Sequence, residues 1–133
     1  MSFVGESGSG HSIVLDGAEQ HGGRNLGIRP METVLIGLGS CSAFDVVLML
    51  KKGRQRVTDC EVEIEAERAD SVPAVFTRIH LAYKISGKEL SEKKVQRAVS
   101  LSVEKYCSVS KMLEQSVEIS HSTQIMDDEV SES

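Results

Sequence analysis

Between Val34 and Leu50 nearly every position is apolar or small, leaving no polar face for water. A helix apolar all round is a helix buried on all sides, so this stretch predicts a central core helix. Pro30 suits its first position, where the missing amide hydrogen would have no partner. Lys51-Lys52-Gly53 stop it with cations on the last turn and a glycine cap. Downstream, Cys60, Val62, Ile64 and Ala66 alternate with Asp59, Glu61, Glu63, Glu65 and Glu67. Such alternation over Val57 to Glu67 predicts a half-buried antiparallel strand with a solvated acidic face, and makes Cys60 a core residue.

After a loop at Ala69 to Val75, the residues Thr77, Ile79, Leu81, Tyr83 and Ile85 form the buried face of a second strand, which Ser86-Gly87-Lys88 ends. His80 falls on its outward, solvated face. Ser91 can cap a helix, and Val95, Ala98, Val99, Ser102, Val103 and Tyr106 supply its apolar stripe. The stripe breaks at Tyr106-Cys107-Ser108-Val109-Ser110, and Lys111-Met112-Leu113 begin a short second helix. Cys107 therefore stands at or near a helix N-terminus, where free amide groups favour a thiolate. Val117 to Ile125 reads as a last strand, and residues 126–133 as a disordered acidic tail.

Ahead of the long helix, the glycines and serines of residues 5–10 read as a hairpin turn, since no Gly-Lys-Ser/Thr follows them. His11 to Leu15 is a short strand ended by Asp16-Gly17, and residues 18–28 are a polar, mobile connection. Strands, then grouped helices, then a strand imply one α+β domain over residues 1–125 with an antiparallel sheet.

The totals sharpen this picture. At 133 residues the chain is one domain, yet small for one that surrounds a 20-residue helix on every side, and a second copy would complete the enclosure. Gly37 and Gly39 cost helix propensity, which points to a close backbone neighbour, with the same helix of a second subunit the natural candidate. A net charge of −5 argues against nucleic acid and anionic membrane surfaces. The apolar run is about 17 residues, short for a membrane span, and it carries Asp45, Ser40 and Ser42. Met1 to Glu6 form no charged-then-apolar leader, so the protein is expected in the cytoplasm. Cys41, Cys60 and Cys107 are too few and too widely spaced for a disulfide framework or a metal site. No metal or cofactor is expected, and the cysteine chemistry left open is redox or nucleophilic.

One cysteine in a buried helix and a second opening a short helix form a distinctive pair. The residues Pro30, Glu32, Leu38-Gly39-Ser40-Cys41-Ser42 and Glu104-Lys105-Tyr106-Cys107-Ser108-Val109-Ser110 resemble the OsmC/Ohr family of thiol-dependent peroxidases, and within it the YhfA-like branch. The resemblance runs from about residue 5 to 125. It implies an intertwined homodimer, with two sheets wrapped around paired central helices. It also implies that Cys41 attacks an organic hydroperoxide and becomes a sulfenic acid, which Cys107 resolves to a disulfide. A dithiol such as a dihydrolipoyl protein would then reduce that disulfide.

Helix geometry constrains the roles. Glu32 and Cys41, nine positions apart, lie on opposite faces and roughly 13 Å apart at 100° and 1.5 Å per residue. If two helices cross antiparallel near residue 36 or 37, Glu32 of one subunit comes level with the other's Cys41. The characterised peroxidases carry an arginine in the N-terminal strand region, held by a glutamate; here Glu6 to His11 contain no arginine, and Glu32 is displaced by one residue. Arg29 is the nearby cation that could stand in, with His11 a weaker candidate. Asp45, one turn from Cys41, would raise the thiol pKa if ionised and unpaired. Two functions fit these residues: a hydroperoxide reductase using Cys41 and Cys107, with Glu32 and Arg29 in support, or a non-enzymatic stress protein that binds a small hydrophobic ligand or senses redox state.

Overall fold

A computed structural model describes residues 1–128. They fall into two compact units, Met1–Gly37 and a second beginning at Leu38, with one helix running through the boundary.

In the first unit, β1 (Ser2–Glu6) and β2 (Ser12–Asp16) pair antiparallel about the expected turn. The sequence reading named only the second of these strands. Asp16 does more than end it. Its buried carboxylate accepts backbone N–H groups from Gly17 at 2.7 Å and from Arg24 and Leu26 at 3.1 Å. Burial pushes the carboxyl pKa up, yet these donors outweigh it and hold the value below the ordinary carboxylate range. Residues 18–28 are thus a pinned loop, not a mobile one, with a 3₁₀ turn at Glu19–His21. Ile28 closes the loop back onto β2, donating to the Val14 carbonyl at 3.1 Å.

The helix α1 spans Pro30–Lys52, close to its expected limits. The left-handed residue after it is Arg54, with φ 60, where the sequence reading expected a Gly53 cap. β3 (Arg56–Arg68) and β4 (Phe76–Lys88) pair antiparallel. A register shift between Val57 and Asp59 sets Val57 and Cys60 on the half-buried face, interrupting the expected alternation. A second shift at Glu67/Arg68 buries Phe76 and leaves Thr77 exposed, which corrects the expected inner face at that end. β4 also continues through Ser86-Gly87-Lys88, where a stop was expected. Gly87 is required there: a Cβ would lie 2.2 Å from the Arg56 carbonyl oxygen.

Ser91 caps α2 (Glu92–Leu101) by accepting the Lys94 amide at 3.3 Å. A π-helical turn, Ser102–Tyr106, leads to α3 (Ser108–Leu113) and then to β5 (Glu118–Asp127). β5 pairs parallel with β4, so the sheet is mixed, order β3-β4-β5, and not antiparallel throughout. The helical crossover from 92 to 113 returns the chain to the same end of the sheet, as a parallel neighbour requires. β5 runs to Asp127, two residues beyond the expected domain end, and the remainder of the expected tail, 129–133, lies outside the described residues.

The second unit's core joins Leu38, Val46 and Leu50 of α1 to Ile79, Leu81, Tyr83 and Ile85 of β4 and to Val95, Ala98 and Val99 of α2. Within one chain α1 is not enclosed on all sides. Phe44 is 75% exposed and Leu48 48%, four residues apart on one helical face. The helix is also long and apolar enough to cross a bilayer by composition, and 28% of its most apolar window is buried within the chain.

Candidate functional site

Cys41 and Cys107 lie together. Cys41 projects from the middle of α1, half-buried. Cys107 is fully buried as the residue preceding α3, its sulfur towards the Leu38 carbonyl, about one helical turn from Cys41, and Cys41 bears on its titration. Neither takes part in a disulfide. The Cys107 sulfur accepts the Ser110 amide at 3.4 Å and donates its thiol hydrogen towards the Leu38 carbonyl at 3.9 Å. The helix start was expected to favour a thiolate there. Burial opposes this and prevails over the Ser110 and Val109 amides; with Cys41 adding to it, the Cys107 thiol is pushed up to about 11. At neutral pH Cys107 is therefore a protonated thiol beside Cys41.

Behind the sulfurs is a buried polar chain that the sequence reading did not single out. Ser42, next to Cys41, bonds through its hydroxyl to the Tyr83 hydroxyl of β4 and to the Ser102 hydroxyl at 2.8 Å. Ser102 also reaches the Ser42 carbonyl at 3.1 Å and the Asp45 carboxylate at 3.4 Å. Asp45 is accordingly partnered. Burial raises the Tyr83 phenol to about 12 against the pull of its Ser42 bond, and Asp45 and, once ionised in alkali, Cys107 and Cys60 add to the rise. The signal for this group lay in Ser42, Tyr83 and Ser102 themselves, three hydroxyls at core-facing positions, since a buried hydroxyl needs a partner.

Arg29 and Glu32 meet each other at the start of α1. The Arg29 amide donates to Glu32 Oε1 at 2.8 Å, the glutamate half of a capping box, while its guanidinium donates to the Gly27 carbonyl at 3.1 Å. Both therefore have local structural roles in the first unit. His11, also in that unit, lies in the hairpin turn beside Ser9 at 3.3 Å. A Cβ on Gly39 would come within 2.7 Å of Ile64 Cδ1 of β3, so this glycine admits a strand of the same chain, where a partner helix had been expected; a Cβ on Gly37 would meet nothing within 4 Å.

Cys60 is half-buried on β3, and burial, reinforced by Asp59, raises its thiol pKa. It lines an open groove of about 570 Å³ with Ala43, Phe44, Val47, Leu48 and Val57. His80 sits on the outer sheet face, bonded to Ser120 at 2.7 Å and Ser122 at 3.0 Å. No group of three or more potential metal ligands occurs among the described residues.

Fold and site together define an α+β protein with two apposed, reduced cysteines at the junction of a long helix and a short one. The family follows from the comparisons: the chain belongs to the OsmC-like proteins, whose family model matches residues 21–122. It is similar to Protein YhfA of Escherichia coli (strain K12), 48% identical over 129 residues, covering 95% of this chain and 91% of that one. Among solved structures it is similar to a hypothetical protein from Aquifex aeolicus VF5, TM-score 0.78 and 33% identity, covering 95% and 89% of the two chains. An organic hydroperoxide resistance protein OsmC from Legionella pneumophila shares the fold, with TM-score 0.67, 14% identity, and 93% and 95% covered.

Proposed function

We propose that this protein is a thiol-dependent peroxidase for organic hydroperoxides, with Cys41 as the attacking sulfur and Cys107 as the resolving one. The observation that carries the reading is the apposition of the two reduced cysteines. The Legionella pneumophila relative, named for organic hydroperoxide resistance, supports the substrate class.

In this mechanism the Cys41 thiolate attacks the distal peroxide oxygen. The O–O bond breaks, the alkoxide leaves with a proton as the alcohol, and Cys41 becomes a sulfenic acid. The Cys107 sulfur then attacks Cys41; an S–S bond forms, and the sulfenic hydroxyl departs as water with the Cys107 proton. Because the raised Cys107 pKa keeps the resting group a thiol, its proton must pass to the departing hydroxyl as the sulfur attacks. A dithiol such as a dihydrolipoyl group reduces the disulfide by exchange. The protein works as a homodimer of one OsmC-like domain per chain, in the cytoplasm, without a cofactor and without nucleic-acid or membrane partners. A second copy covers the exposed Phe44 and Leu48 face, and Glu32 and Arg29 support the partner's Cys41.

The test is consumption of cumene hydroperoxide with dihydrolipoamide. The wild-type protein should turn over, Cys41→Ser should reduce turnover at least a hundredfold, and Cys107→Ser should stop after about one equivalent, because its sulfenic acid is not resolved. Turnover that persists in Cys41→Ser contradicts the assignment. A second reading, a carrier or redox sensor without turnover, draws on the apolar groove beside Cys60. An inactive wild-type protein that binds apolar fluorophores there would select it.

A further inference from the structure

The five-residue π turn, Ser102–Tyr106, is fastened to α1 at both ends. At its start the Ser102 hydroxyl bonds to Ser42, and immediately after its end Cys107 meets Cys41. The two anchor points on α1 are adjacent residues. The turn is closed by the Cys107 amide donating to the Ser102 carbonyl at 2.7 Å, and braced by the Ser110 hydroxyl on the Val103 carbonyl at 2.7 Å. Ser42, Ser102 and Ser110 are all buried, and no buried side-chain polar atom among the described residues lacks a partner. A π turn inserts one residue relative to α-helical register, and such insertions recur at functional sites. Here the insertion is what lets residue 107, and not the exposed Tyr106, follow the bonded turn.

We infer that Ser102 is a positioning residue: through Ser42 and Tyr83 it locks the π turn to α1 and so sets the proximity of the Cys107 sulfur to Cys41. The inference rests on the cysteine pairing in the proposed function, but it concerns disulfide closure alone. Removing the hydroxyl frees the start of the turn while keeping both cysteines in the chain. Closure then costs ordering that the native network has already supplied, and the effective concentration of one thiol at the other falls.

The experiment measures the equilibrium of the intact protein with glutathione, in which the dithiol plus glutathione disulfide gives the protein disulfide plus two glutathione thiols. No peroxide enters, so an enzyme inactive towards hydroperoxides still gives a readable result. Ser102→Ala should lower the exchange constant roughly tenfold, and Tyr83→Phe, which keeps the ring and removes its hydroxyl, about threefold. Val95→Ala, a core truncation outside the network, should lower Tm and leave the constant unchanged. If Ser102→Ala does not fold, Tyr83→Phe carries the test. A wild-type constant in the folded Ser102→Ala or Tyr83→Phe protein, or an equal fall in Val95→Ala, overturns the inference.

Discussion

Cys107 illustrates how one side chain is governed by competing terms. Its place before α3 offers amide donors that favour a thiolate, while complete burial favours the thiol, and burial wins. The consequence for stability has a definite sign. Between about pH 9 and 11 the unfolded chain loses this proton and the folded chain keeps it, so alkali favours unfolding. The Tyr83 phenol, raised to about 12, extends the same trend from about pH 10 upward. Tm should therefore fall between pH 9 and 11, and in Cys107→Ser less steeply than in the wild type; parallel profiles would show that the thiol is not the titrating group. Cys41 and Cys107 were both legible in the sequence, because sulfur in those two settings is conspicuous. Asp45 was conspicuous in an apolar helix, but its link through Ser102 and Ser42 to Tyr83 was not legible, since three separate elements supply the hydroxyls and only the fold joins them.

Among elements, periodicity located α1, β3, β4 and α2 to within a few residues, because each carries a long apolar pattern. It could not give strand direction. β5 reads the same in either orientation, and only the helical crossover between β4 and β5 makes their pairing parallel. Strand irregularities were also hidden: the shift at Val57/Asp59 depends on pairing with β4, which no single strand encodes. Gly87 shows the same dependence, reading as a strand terminator while serving as the point of close approach to Arg56. Gly87→Ala sets its new carbon against a backbone carbonyl, which does not yield as a side chain would, so it should destabilise by about 2 kcal/mol; urea unfolding measures this, and a neutral result would show that the β3–β4 edge is loosely held. Leu81→Ala, at the sheet's fully buried centre, should cost about 3 kcal/mol in the same assay.

For the molecule as a whole, the question left by one chain is what covers α1. Phe44 and Leu48 present apolar surface that water penalises, at roughly 25 cal/mol per Å², and in the proposed homodimer a second copy would remove it. Phe44→Glu should shift the sedimenting species from dimer to monomer, and a monomeric wild type would refute the shared core. The proposed peroxidase function depends on two sulfurs meeting. The most direct test treats the reduced protein with one equivalent of cumene hydroperoxide and identifies cysteine states by peptide mass spectrometry. The account predicts a peptide pair joined through Cys41 and Cys107 with two hydrogens lost and Cys60 still a thiol. Unchanged Cys41 and Cys107, or a disulfide that uses Cys60 in place of either, would contradict it.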